Sequence, residues 1–144
     1  MKSALILYNS KTGTTARLAS EIAKIFERNR IQTKVCSIFD FEPSDVPPSD
    51  YILLGCWTNG LMLLLQHPER VWVEFSKQLP DLVGKKVGLF TTYLLATGSM
   101  FKKMEQHIRT SPGSIGLRLK SRNGSLNDSD RKDLLRFIGE SETP

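Results

Sequence analysis

Apolar positions along the chain follow two alternating rhythms. Ser3 to Tyr8, SALILY, is a short unbroken apolar run of the kind that fills a strand buried on both faces. After the polar stretch NSKTGTT, Leu18, Ile22, Ile25 and Phe26 recur at helical spacing, while Arg17, Glu21, Lys24 and Arg28 fall on the other side. The cycle then repeats. Thr33 to Ile38 predicts a second strand, and FDFEPSDVPPSD is too rich in Pro and Asp for a long helix, so a loop with at most a turn or two follows. Tyr51 to Cys56 predicts the third strand. Pro68 suits a first helical position, with Val71, Trp72, Phe75 and Leu79 as that helix's inward face. Lys86 to Thr91 predicts strand four, and Met100, Phe101, Met104 and Ile108 mark the helix after it. Ser114 to Leu119 predicts strand five. Asn127 to Asp130, NDSD, supplies an N-cap for a closing helix that carries Leu134, Leu135, Phe137 and Ile138. Five strands alternating with helices through right-handed crossovers predict a three-layer α/β sandwich, with a parallel sheet in the order 2-1-3-4-5.

Composition narrows this picture only in places. A chain of 144 residues suffices for one domain, 1–144, with a core that needs no disulfide or metal. The longest apolar runs, such as Ala4 to Tyr8 and Leu61 to Leu65, fall far short of the roughly 20 residues that span a bilayer, so no membrane segment is expected. Met1 and Lys2 lead into a strand without the apolar region of a secretory signal, which makes a cytoplasmic location the expectation. Cys36 and Cys56 have neither zinc spacing nor the density of a disulfide scaffold, and as strands two and three flank strand one they stand too far apart to bond. His67 and His107 occupy no recognisable triad position, so neither a metal site nor a catalytic side chain is predicted.

The formal charge of +5 matters through its distribution. Phe101 to Ile138 holds nine Lys and Arg against four Asp and Glu, and this segment supplies the whole excess. Such a segment suits an acidic partner, an anionic membrane or nucleic acid, or is simply a solvated surface of mixed charge, which is the reading the sequence favours. Nucleic acid is not expected, because no aromatic residues interleave with the basic ones as a base-stacking surface requires.

The candidate chemistry lies in the first strand-to-helix junction. In SKTGTT, Ser10 to Thr15, the helix start exposes unpaired N–H groups at the positive end of the helix dipole, and the hydroxyls of Ser10, Thr12, Thr14 and Thr15 add donors. Gly13 allows close approach of a ligand or a positive φ. The result is a cradle for an anion or, on the blander reading, a hydroxyl-rich cap. It is neither a P-loop nor a GxGxxG loop.

A first strand followed by [ST]-x-T-G-x-T and an amphipathic helix resembles the phosphate loop of the flavodoxin family, which binds the 5′-phosphate of FMN. The match covers Ser10, Thr12, Gly13 and Thr15, with Lys11 and Thr14 in the variable slots. The likeness extends over nearly the whole chain. LLGCWTNG is similar to the family's first isoalloxazine loop, G-C-S-x-[WM]-G, and this implies flavin contact by Cys56, Trp57, Thr58, Asn59 and Gly60. Asn59 takes the place of an aromatic or Met, and Gly60 that of the glycine whose peptide turns to meet N5 on reduction. TTYLLATGS resembles the second loop and implies contacts from Thr91, Thr92, Tyr93, Leu95 and Gly98. Trp57 either covers the ring or packs, and the same choice holds for Tyr93.

The resemblance implies an FMN-binding protein that carries electrons between redox partner proteins. The family is commonly acidic, whereas this chain is basic and places Leu61 to Leu65 after the first flavin loop, so its partners are expected to present an acidic or an apolar docking face. Two alternatives stand beside the carrier. One is an FMN-dependent oxidoreductase holding a quinone or porphyrinogen-like substrate against those leucines; the other is a flavin-free module of the same fold that binds proteins.

Overall fold

A computed structural model describes residues 2–59, 67–68, 70–93, 99–110 and 114–139. Strand β1 (Ser3–Asn9) runs into helix α1 (Thr14–Arg28) and strand β2 (Gln32–Ser37). The Pro- and Asp-rich segment forms two single 3₁₀ turns, Ile38–Asp40 and Pro43–Asp45, as its composition predicts. Next come β3 (Tyr51–Asn59), a two-residue strand β4 (His67–Pro68), α2 (Arg70–Ser76) and β5 (Lys86–Thr92). The chain continues through α3 (Met100–Glu105), β6 (Ile115–Ser121) and α4 (Asp128–Gly139).

The sheet runs β2-β1-β3-β5-β6 with every neighbour parallel, and β4 adds antiparallel to the end of β3. Counting the parallel strands alone, this is the expected 2-1-3-4-5 order. The period-two geometry of a strand divides β1 and β3 between two cores. Ala4, Ile6, Tyr51 and Leu53 join α1 and α4 on one face, while Leu5, Leu7, Ile52, Leu54 and Cys56 join α2 and α3 on the other. Each fully buried Leu or Ile contributes about 1.5–3 kcal/mol, so burial on both faces makes β1 and β3 the firmest elements and fixes where their C-terminal ends lie.

Several boundaries differ from the sequence reading. β3 continues three residues past Cys56, because Trp57 pairs with Thr92 of β5, and Thr58 and Asn59 pair with Pro68 and His67. Pro68 therefore belongs to a short edge strand, where its missing N–H costs no ladder bond, and the helix begins at Arg70. Val71 and Leu135 are 38% and 47% exposed and do not join their helices' inward faces, since short helices bury only a narrow stripe. Leu79 and Ile108 are buried beyond the ends of α2 and α3. At α4 the cap is reciprocal: Asp130 N–H donates to Asn127 Oδ1 at 2.7 Å, and Asn127 N–H to Asp130 Oδ2 at 3.3 Å.

Candidate functional site

Parallel strands all end at one edge of the sheet, and the order reverses between β1 and β3, which opens a crevice there. The register places Asn9 beside Cys56, Cys56 beside Thr91, and Trp57 beside Thr92. The loops after β1, β3 and β5 therefore start within about two strand spacings, roughly 10 Å, of one another.

The first loop is held open by one hydroxyl. Ser10 Oγ accepts from the N–H of Gly13 at 3.0 Å and of Ala16 at 3.3 Å. The first bond inside α1 runs from Arg17 N–H to Gly13 O, so among the described residues nothing accepts from the N–H of Thr14 or Thr15. Gly13 adopts φ 93°, a left-handed conformation, and a Cβ built on it would meet no atom of the described residues within 4 Å. Among those residues, open space lies over the loop. No acidic residue occupies the first turn of α1, and Thr12 and Thr14 hydroxyls stand 3.3 Å apart at the rim. Two unclaimed N–H groups, the rim hydroxyls of Thr12 and Thr14 and the helix dipole fit an oxyanion such as a phosphate. Thr15 differs from expectation in one respect. Its side chain is buried, and Oγ1 lies 2.6 Å from Thr92 Oγ1, so it already bonds across to β5.

The ends of β3 and β5 meet through side chains. Thr91 Oγ1 donates to Cys56 O at 2.6 Å and lies 2.8 Å from Thr58 Oγ1, which stitches β3 to β5 at their ends. Cys56 is fully buried, with Asn9 Nδ2 3.9 Å from its Sγ; it faces the core and closes the strand from inside. Trp57 is half-buried, and the Lys11 ammonium lies 4.7 Å from its ring centroid. Tyr93 is half-buried under the Arg122 guanidinium, 5.4 Å from the ring centroid, and its N–H donates to Ser121 O at 3.2 Å. Of the remaining expected contacts, Gly60, Leu95 and Gly98 lie outside the described residues, as do Leu61 to Leu65, and Asn59 is described through its backbone alone.

Three neighbours escaped the sequence reading. Asn9, 2% exposed, ends β1 beside Cys56. Arg122 and Gly124 come from the turn after β6. Gly124, at φ 85°, packs so close to α1 that a Cβ would sit 2.8 Å from Thr14 O, and Arg17 Nη1 donates to Asn123 O at 3.2 Å. The only linear signal was the Asn-Gly pair at 123–124, which marks a turn without saying what it packs against. Cys36 and Cys56 flank β1 as free thiols, opposite Leu7 and Asn9, and burial pushes the Cys36 thiol above its ordinary range.

Comparison with known proteins agrees with this geometry. The family model described as Flavodoxin matches residues 6–136. A flavodoxin of Megasphaera elsdenii is 32% identical over 112 residues, covering 76% of this chain and 79% of that protein. A flavodoxin of Maridesulfovibrio salexigens is 32% identical over 91 residues, and the match spans 62% of each chain. In structure, the solution structure of two-electron reduced M. elsdenii flavodoxin superposes with a TM-score of 0.77 at 28% identity, over 95% of this chain and 98% of that one. Oxidised flavodoxin 1 of Bacillus cereus shares the fold, with a TM-score of 0.70 at 21% identity and 99% coverage of both chains. A cradle for an oxyanion after the first strand, the ends of β3 and β5 beside it at the switch point, and a family match over nearly the whole length agree: the chain belongs to the flavodoxin family and is an FMN-binding electron-transfer protein.

Proposed function

We propose that this chain carries electrons between redox partner proteins, with the FMN phosphate held at Ser10 to Thr15 and the ring at the ends of β3 and β5. The observation that carries the assignment is the pair of unclaimed N–H groups on Thr14 and Thr15, under open space at Gly13. FMN, when bound, supplies the redox chemistry by accepting and releasing electrons at its ring. The protein's share is to bind and orient. Ser10 pins the loop, the Thr12 and Thr14 hydroxyls offer donors, and Thr58, Asn59, Gly60, Thr91, Thr92, Tyr93, Leu95 and Gly98 frame the ring site. No side chain of the described site is asked to act as acid or base in this reading.

The preferred partner presents an acidic or an apolar face. Support for an acidic face comes from the net charge of +5 and from β6, where Arg118 and Lys120 are exposed along the sheet edge. Support for an apolar face comes from Leu61 to Leu65, which follow the first flavin loop in the sequence. Among the described residues no helix is long and apolar enough to cross a membrane. A cytoplasmic location completes the proposal, in keeping with two unbridged cysteines.

Titration of the apoprotein with FMN tests the assignment. Thr12→Glu or Thr15→Glu places a like charge at the phosphate and should abolish binding, whereas unchanged affinity would refute the phosphate loop. Purified protein that is colourless and does not quench added FMN would favour the flavin-free module. Saturable turnover with a soluble quinone would favour the oxidoreductase, because a carrier shows only slow, unsaturable exchange.

A further inference from the structure

We propose that Trp57 is a positioning residue for Lys11, which it holds as a charged partner of the FMN phosphate. This rests on the phosphate-loop reading above, and goes beyond it by assigning Trp57 to the phosphate rather than to the ring.

The geometry follows from strand parity. Tyr51 and Leu53 point into the α1 and α4 core, while Ile52, Leu54 and Cys56 point into the opposite one. Period two then directs Trp57 to the α1 side of the sheet, where the phosphate loop lies. Its pair partner Thr92 obeys the same rule and reaches Thr15 on that side. The Lys11 ammonium sits 4.7 Å from the Trp57 ring centroid, within cation–π range.

The kind of partner decides what Lys11 can still do. A carboxylate would neutralise the ammonium and occupy its N–H groups. An indole face does neither, since the attraction comes from the ring quadrupole. Among the described residues the ion pairs engage Lys24, Lys34, Lys77, Arg118, Arg131 and Arg136, and Lys11 has no carboxylate partner. Lys11 therefore keeps its donors clear of any described carboxylate, next to the loop that receives the anion. The Ser10 bonds to Gly13 and Ala16 close the turn that carries Lys11, and the Trp57 face restricts the swing of its four-carbon stem. Arg17, the nearest cation along α1, is turned away toward Asn123.

The test compares apoprotein affinity for FMN and for riboflavin, which lacks the phosphate, across a range of salt concentrations. Lys11→Met should weaken FMN roughly tenfold, the scale of one charge-assisted hydrogen bond, reduce the salt dependence, and leave riboflavin unchanged. Lys11→Arg should retain most of the FMN affinity. Trp57→Leu should weaken FMN selectively, with Lys11→Met adding little in the double variant. The proposal falls if Lys11→Met changes neither FMN affinity nor its salt dependence. It also falls if Trp57→Leu weakens FMN and riboflavin equally, which would make Trp57 a ring contact and leave the phosphate loop intact. Wild-type protein that binds neither ligand would overturn the phosphate loop itself, and this proposal with it.

Discussion

Replacing Gly55 by alanine should unsettle the floor beneath the flavin loops. Gly55 lies opposite Phe90 in the β3–β5 register, and the phenyl ring lies across it. A Cβ on residue 55 would stand 2.0, 2.2 and 2.5 Å from Cε2, Cζ and Cδ2 of that ring. Carbon atoms rest about 3.5–4.0 Å apart, so the overlap exceeds roughly 1 Å at three atoms. The ring cannot simply turn away, because Phe90 is fully buried in the core beneath α1 and α4. Overpacking of this kind costs about 1–3 kcal/mol, and relief of the glycine's strand entropy returns about 0.5–1. The mid-range values leave a net loss of about 1 kcal/mol, or about 2–4 °C in Tm for a domain near this size.

Urea denaturation should show the lower midpoint with an unchanged m-value. The decisive measurement is a double-mutant cycle with Phe90→Ala, which alone should cost about 3–5 kcal/mol. Once the ring is gone, Gly55→Ala has nothing to strike and its penalty should vanish or reverse, giving a coupling of about 0.5–3 kcal/mol. An equal penalty with and without the ring, or no penalty in either background, would refute the steric account.

Three other perturbations bear on parts of the same edge. Thr92→Val removes the bond to Thr15 at nearly constant volume and should weaken FMN more than riboflavin, with Thr92→Ser restoring the difference; equal weakening of both ligands would count against a role at the phosphate. Asn127→Ala should destabilise the fold by about 0.5–2 kcal/mol through loss of the α4 cap, as read by thermal melting, with cofactor affinity little changed. Burial pushes the Asp130 carboxyl above its ordinary 3.8, so between that value and the raised one the folded state binds more protons than the unfolded chain. Stability contributed at this position should therefore fall as pH rises through that window, and Asp130→Asn should remove the slope; a slope of the opposite sign would contradict the assignment.

How far the sequence speaks depends on whether a feature is local. The division of β1 and β3 between two cores is written in alternate residues, and the helix α1 in its 3.6-residue spacing, so the layers and the strand order were legible. The Ser10–Thr15 turn, with its exposed helix start, was legible for the same reason, as all its parts lie within six residues. The far end of β3 was not. Its last three residues are strand only because Thr92, Pro68 and His67 supply partners, and those come from elements still to follow in the chain. That extension alone puts Trp57 on the α1 side. Pro68 misled in turn, because its preference for a first helical position is a weaker influence than an edge pairing with Thr58. Arg122 and Gly124 join the site through the return of β6 to the sheet, and no spacing in the sequence records which loop they will touch.

The substitutions that depart most from the family pattern acquire a common reason from these contacts. Where the second loop would carry glycine, Thr91 reaches Cys56 O and Thr58, and Thr92 beside it reaches Thr15. Where the first loop would carry a small hydroxyl residue, Trp57 reaches Lys11. Each departure ties one loop to another: β5 to β3, β5 to the start of α1, and β3 to the phosphate loop. Loops already joined in this way lose less conformational freedom when a ligand arrives, which preserves affinity that glycine flexibility would give up. On the proposed assignment, which gives Thr92 to the ring site and Thr15 to the phosphate cradle, the same ties couple the phosphate end to the ring end. A change made at one end should therefore be felt at the other, and the Thr92→Val comparison of FMN with riboflavin measures that transmission directly.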